Sequence, residues 1–433
     1  MDRLLLGTSR EIITPKVGCQ LYGYSPDVFS EKINDDLTAT AFFFLQGHKK
    51  AMMISLTVCE MKTSLCDEIR EKISEQCDIP KENIMLCATH THSGPNVAGS
   101  EGWGEIDKEY CEEIFVPRIL SAAKKACENV KHVRMGYAFG DSFVGVNRRV
   151  ILPDNTVDFG QNKWGCFNPC MTVVSFVDDD KNTVANIVHY GCHGTAAGPN
   201  HEITRDWSGI MTDALEEKSG GITAFFNGTM GDAGPRISNG KTTGNLEYVY
   251  ELGEVAARDV LAIYDKIDEF RDVVLSSGEL VAEIPLKPRM DIDEARLMYE
   301  KYRGESVNIG AVKRAYYESV IKAHLDGAEN KESVGIGQTV VGVGALVFTG
   351  IPYEMFAQTG FRIDEEIAEK TVLCVSNTNG FEGYFATQDA VCRGGYEVEM
   401  FLYGKVQMFC DDADWHLFRS MTANVRKIVL EGE

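Results

Sequence analysis

The sequence predicts an α/β fold of mixed type, a large mixed β-sheet system flanked by helices. Three observations predict it. Strand-like runs rich in β-branched and aromatic residues recur along the whole chain. Between them lie segments with apolar residues at three- and four-residue spacing, the periodicity of half-buried helices. No repeat, low-complexity tract or Pro/Gly/Ser linker interrupts the alternation, so all 433 residues read as one domain, 1–433.

Taken in order, residues 39–45 and 51–57 read as strands, and a helical pattern at 64–76 follows. An apolar run at 83–88 comes next, then a long helical pattern at 108–130. Strands are expected at 133–139, 171–177 and 184–190. The last two flank Asp178-Asp179-Asp180, Lys181 and Asn182, a polar hairpin turn. A helix at 207–218 is preceded by Asp206, which reads as its N-cap or as an acceptor orienting a ligand histidine. A strand at 223–226, a helix at 246–267 and a strand at 273–284 come before a highly charged segment at 291–333. That segment is helical in pattern over 292–326, with one Gly-containing break. It reads as a solvated surface hairpin, or as a lid or oligomer contact through Met298, Tyr299, Tyr302, Tyr316 and Tyr317. Strands at 339–349 and 371–376 with a helix at 354–369 complete the pattern.

Composition narrows the function. Apolar residues make up 44% and charged residues 25%, a balance that buries a sizeable core. The 65 Asp and Glu against 43 Lys and Arg leave a net charge of −22, which repels phosphate backbones and anionic headgroups. Nucleic acid and stable membrane association are therefore not expected. No segment approaches the roughly 18 apolar residues of a membrane span, and the N-terminus lacks an export-signal core. Thirteen cysteines, an odd number in a large chain, suit reduced thiols in a cytoplasmic protein. Cys166 and Cys170 have the spacing of half a metal site, but no second pair accompanies them.

The nine histidines are the informative residues. Ile84-Met85-Leu86 feeds into Cys87-Ala88-Thr89-His90-Thr91-His92-Ser93-Gly94-Pro95, which places His90 and His92 at a strand end with both side chains on one face. Such spacing suits two ligands on one metal, one ligand beside a catalytic or orienting histidine, or a plain structural pair. A second strand runs into His189-Tyr190-Gly191-Cys192-His193-Gly194, and again a Gly-Pro follows. His189 and His201 read as packed or solvent-facing. A third strand leads to Asn227-Gly228-Thr229-Met230-Gly231-Asp232-Ala233-Gly234-Pro235, a turn that either cradles an anion with backbone N–H groups or simply connects strand to helix.

Together these stretches resemble the neutral/alkaline, non-lysosomal ceramidase family, in its N-terminal catalytic domain. The resemblance rests on Ile12-Ile13-Thr14-Pro15 with Gly23-Tyr24, the THTHSGP motif at 89–95, Asn147-Arg148, His193-Gly194-Thr195, Gly231-Asp232, Pro352-Tyr353-Glu354, Gly383-Tyr384, Gly395-Tyr396-Glu397 and Tyr403-Gly404, all in the family's order. The chain is similar to the short bacterial members that lack a C-terminal β-domain.

The resemblance implies a Zn²⁺ site of His90, His193, Glu354 and Tyr384, with His92, Arg148 and Tyr396 contacting substrate. Two imidazoles and a carboxylate leave zinc a position for water, and Tyr384 is an unusual fourth oxygen that either gives way or leaves the water a fifth position. The implied activity is zinc-dependent hydrolysis of an amide in a small-molecule or lipid-like N-acyl substrate, and a homo-oligomer is a possible assembly. One position departs from the family: Gly234 stands where a serine nucleophile is proposed in characterised members. Without that hydroxyl the expected mechanism is attack by metal-activated water. Hydrolysis of an ester or glycosidic bond, and a non-catalytic metal-binding role, are the competing readings.

Overall fold

The computed structural model describes residues 2–431. Among them the strands form three main sheets that share one apolar core. The first has the order Ile84–Ala88, Lys49–Leu56, Thr38–Gln46, Leu5–Ile12, Val130–His132. The second runs Ile222–Asn227, Thr183–Tyr190, Cys170–Val177, Arg134–Asp141, and the third Leu275–Pro285, Ser333–Val343, Leu346–Gly350, Thr371–Val375. Parallel and antiparallel pairs mix in each sheet, as expected.

Alternation along the strands explains how three sheets meet. Phe42 and Phe44, Phe176 and Ile187, and Val341 and Phe348 point into the shared core. Their neighbours point outward, each set under helices. Ala39, Ala41 and Phe43 pack beneath Thr63–Cys77 and Val116–Glu128. Val173, Val188 and Phe225 pack beneath Trp207–Ser219 and Leu246–Tyr264. Val340, Val347 and Cys374 pack beneath Ala357–Glu366 and Ala413–Val425. Strands buried on both faces read as continuous apolar runs, which is why FFFL and AMMISL show little polar alternation.

Several boundaries differ from the sequence expectation. The run at 339–349 is two strands, Ser333–Val343 and Leu346–Gly350, folded at Gly344, whose φ of 63° suits the tight turn. The helix expected from 354 begins at Ala357, because Glu354–Met355 pairs as a short parallel strand with Tyr384–Phe385. The charged segment forms two helices, Ile292–Tyr302 and Asn308–Leu325, with Tyr316 and Tyr317 buried and Leu297 and Leu325 exposed. The strand Leu5–Ile12, with its polar Thr-Ser-Arg-Glu centre, escaped the pattern reading. No helix among the described residues is long and apolar enough to cross a membrane.

Candidate metal centre

Five connections leave strands of the three sheets at one end of the core and converge. His90 follows strand Ile84–Ala88 by two residues, and His193 follows Thr183–Tyr190 by three. The turn after Ile222–Asn227 supplies Met230 and Ala233. Leu346–Gly350 leads to Glu354, and Thr371–Val375 to Asn377. Buried strands thus fix the backbone from which each loop projects its side chain.

The two histidine loops are stitched together. Thr91 bridges Gly194, the His92 N–H donates to Gly194 O at 3.1 Å, and the Gly194 N–H to His90 O at 3.3 Å. A Cβ on residue 194 would lie 2.7 Å from His90 O, so only glycine permits this approach. His90 itself holds a φ of 69°, a left-handed conformation uncommon outside glycine. Asp206 caps the helix Trp207–Ser219 through the Trp207 N–H at 2.7 Å and also accepts from Ala197 N at 2.9 Å and Ala196 N at 3.3 Å. It therefore holds the His193 loop without touching the histidine. The Trp207 indole N–H completes the clamp by donating to His193 O at 2.9 Å.

The protonation of both histidines follows from their partners. His90 Nδ1 lies 2.8 Å from Cys59 O. His193 Nδ1 lies 2.9 Å from Met230 O and 3.0 Å from Ala233 O. A carbonyl accepts only, so Nδ1 carries the proton in each ring and Nε2 presents a lone pair. Burial pushes both imidazoles below their usual range, His90 to about 4. The two rings are neutral at neutral pH.

Their lone pairs face a carboxylate. His90 Nε2 lies 3.4 Å from Glu354 Oε1, and His193 Nε2 lies 3.1 Å from Glu354 Oε2. Glu354 Oε2 is buried without a hydrogen-bond partner, and burial raises the Glu354 pKa. The Tyr384 hydroxyl lies 3.5 Å from His193 Nε2, placed beside Glu354 because the two residues are register partners in their short sheet. Acceptors aimed at acceptors repel unless a cation lies between them. Bonds of about 2.0–2.1 Å in a tetrahedron set ligand atoms roughly 3.3–3.4 Å apart, the spacing found here. The residues present fit a divalent metal ion. Among the described residues, His90, His193 and Glu354 form the one group of potential metal ligands whose members are all buried.

The remaining residues expected at the site lie around this cradle. His92 Nε2 is 3.2 Å from His90 Nε2, and its ring packs against Tyr24 at 5.1 Å. Arg148 donates from Nη2 to the Tyr384 hydroxyl at 3.1 Å and from Nε to Glu397 at 2.9 Å. Arg149 shares the same carboxylate at 2.5 Å, so two buried guanidinium groups are held by the single negative charge of Glu397. Tyr396 sits 5.8 Å from Tyr384, ring to ring, and 5.5 Å from the half-exposed Phe159. His189 packs in the core with Nε2 at 2.8 Å from Cys374 O, and His201 is exposed.

Three groups were given no role in the sequence, Glu60 unnoticed and Asp232 and Glu397 named only within motifs. Glu60 is buried beside the site, hydrogen-bonded to the Tyr22 hydroxyl and to Ser100 at 3.0 Å, and burial pushes it up to about 8. An acid inside Val58-Cys59-Glu60-Met61 was the available signal. Asp232 ties the glycine-rich turn to the Ala357 N–H at 2.9 Å and to Asn147 at 3.1 Å. Glu397 was visible only as a motif letter. In the glycine-rich turn the N–H groups of Gly228, Gly231 and Ala233 are bonded to the Tyr190, Met355 and Met230 carbonyls, and the Met230 and Ala233 carbonyls face His193. Cys166 and Cys170 stand outside the groups of converging metal ligands among the described residues, and all thirteen cysteines are free thiols.

The fold and cradle define an α/β protein with a buried cluster of potential N/O metal ligands at the end of a three-sheet core. Residues 4–247 match the family model described as neutral/alkaline non-lysosomal ceramidase, N-terminal, and the chain belongs to that family. It is 24% identical over 250 residues to neutral ceramidase of Pseudomonas aeruginosa, covering 53% of this chain and 37% of that protein. Against neutral ceramidase A of Dictyostelium discoideum it is 25% identical over 250 residues, 52% of this chain and 35% of the relative. Each match thus spans little more than a third of the relative's length.

In structure the similarity reaches further. The crystal structure of the Pseudomonas aeruginosa neutral ceramidase superposes with a TM-score of 0.75 at 17% identity, covering 99% of this chain and 75% of that one. A ceramidase complexed with C2 gives 0.72 at 17% identity, with 99% and 76% coverage. His90, His92, Arg148 and His193 lie inside the family match, whereas Glu354, Tyr384 and Tyr396 lie beyond it and are brought in by the fold.

Proposed function

We propose that the protein is a zinc-dependent hydrolase that cleaves the amide of an N-acyl substrate, ceramide-like or smaller, with no covalent serine step. The observation that carries this reading is the set of neutral imidazole and carboxylate lone pairs aimed at one buried point. A divalent ion held by His90, His193, Glu354 and Tyr384 would supply Lewis acidity, polarising a carbonyl and lowering the pKa of water from about 15.7 toward about 7.

The chain's own groups do the remaining work. Arg148 is kept charged and aimed by Glu397, and with the Tyr396 hydroxyl it stabilises the oxyanion, at roughly 3 kcal/mol per donor. His92 is held neutral by burial; its place beside His90 makes it the group that relays a proton to the leaving nitrogen. Gly234 offers no hydroxyl, and its absent side chain's place is taken: a Cβ there would lie 2.8 Å from Thr242 Cβ. Phe159, beside Tyr396 at the rim, offers an apolar surface to the acyl part.

The test joins metal analysis to a panel of N-acyl, ester and aryl-glycoside substrates. The expected result is zinc in the purified protein and turnover of N-acyl compounds, with turnover abolished and zinc content lowered in His193→Ala. Wild-type turnover by a His193→Ala protein that has lost this metal, or turnover of esters or glycosides with none of amides, would overturn the proposal.

A further inference from the structure

A second convergence of ligand side chains lies at the entry to the C-terminal helix Ala413–Val425, outside the centre described above. Cys410, Asp412 and His416 bring one thiol, one carboxylate and one imidazole within 4.8 Å of one another. His416 Nε2 lies 3.7 Å from Asp412 Oδ2 across one helical turn.

Local structure sets this group apart from chance surface neighbours. Asp412 occupies the N-cap position, yet its carboxylate makes no capping bond and forgoes the roughly 1 kcal/mol that capping contributes. The flanking carboxylates are each matched by a cation: Asp411 by Lys287 and Asp414 by Arg362 at 2.8 Å. Among the described residues Asp412 has no Lys or Arg ion-pair partner; its side chain faces His416 and the Cys410 thiol. The backbone beneath is fixed. Cys410 N donates to Pro285 O at 3.1 Å, Lys287 N donates to Met408 O at 2.8 Å, and the buried Phe409 bridges Leu286.

We propose that Cys410, Asp412 and His416 form a zinc-type metal site, with solvent as fourth ligand, that staples the first turn of the C-terminal helix to Cys410, whose N–H is bonded to Pro285 at the end of strand Leu275–Pro285. The donor set of soft thiolate, imidazole and carboxylate selects zinc-like ions over calcium or magnesium. Zinc bonds of about 2.0–2.3 Å need ligand atoms roughly 3.3–3.6 Å apart. Rotation of the Asp412 and His416 side chains, 49% and 39% exposed, closes that gap. On binding, the Cys410 thiol releases its proton to solvent. Because binding expels that proton, uptake strengthens as pH rises. The helix N-terminus carries roughly half a positive charge, which favours the thiolate and is outweighed by two anionic ligands.

Cobalt titration of the full chain tests this independently of catalysis. Thiolate ligation gives Co²⁺ a near-ultraviolet charge-transfer band, which the sulfur-free set His90, His193, Glu354 and Tyr384 does not produce. The wild type is expected to show a saturable band that zinc bleaches. Cys410→Ser and His416→Ala should each lose the band while keeping the unfolding temperature of the metal-free wild type. His193→Ala should keep it. A wild type without the band, or a band that survives in Cys410→Ser or His416→Ala, overturns the proposal and leaves the central site untouched.

Discussion

Introducing a serine at position 234 tests the packing at the place where the family resemblance implies one. Gly234 lies in the short strand Ala233–Pro235, paired to Val146, with Thr242 packed over it. A Cβ at 234 would stand 2.8 Å from Thr242 Cβ and 3.1 Å from its Cγ2, but an ordinary 3.5 Å from Arg148 Cβ. Carbon atoms rest at about 3.5–4.0 Å, so the overlap is roughly 0.7–1.2 Å against one neighbour. Overpacking of that kind costs about 1–3 kcal/mol. With an unfolding entropy of about 2.1 cal/mol/K per residue, 433 residues give about 0.9 kcal/mol/K, hence a Tm lower by about 1–3 °C. Gly234→Ser is expected to show that loss in calorimetry and urea unfolding. In a Thr242→Gly background the same change should cost less than half as much, because the obstructing atoms are gone. Full stability of Gly234→Ser alone, or strictly additive effects in the double variant, would refute the packing argument.

Three further outcomes follow from the site and its supports. Arg148→Met should lower kcat by about 10²–10³-fold on an N-acyl substrate with little change in fold, because Arg149 still neutralises Glu397; near-normal kcat would remove Arg148 from the chemistry. Asp206→Ala strips an acceptor from three buried N–H groups and should cost on the order of 3 kcal/mol in urea unfolding, with a roughly 10–100-fold loss of metal affinity through the loosened His193 loop; unchanged unfolding and metal affinity would contradict that role. His189, held down to about 4 by burial against an ordinary 6.5, binds a proton more readily unfolded than folded. Its contribution to stability is therefore complete above about pH 6.5 and is lost as pH falls toward 4, on the order of 3 kcal/mol. His189→Gln should flatten that part of the stability–pH curve, and an unaltered curve would show that the ring does not titrate with unfolding.

The sequence by itself determined the alternation of strands and helices, the mixed α/β class and the loops that carry His90 and His193. These are local properties: the apolar period names an element, and a strand running into Gly-rich chain names its exit. It also flagged Asp206 as a cap, because capping is a contact between near neighbours. What the pattern left open was decided in three dimensions. Glu354 reads as the start of a helix until Tyr384, thirty positions on, pairs with it and draws it into a strand. Gly344 turns one apparent strand into two, since an apolar run alone carries no signal for direction. The pairing of Arg148 and Arg149 on one carboxylate and the burial of Glu60 are likewise distant contacts. A metal cradle needs lone pairs aimed at one point to within a few tenths of an ångström. Sequence can place each donor on its own loop, but only the packing of three sheets against a common core brings the loops to one end and sets the distances between them.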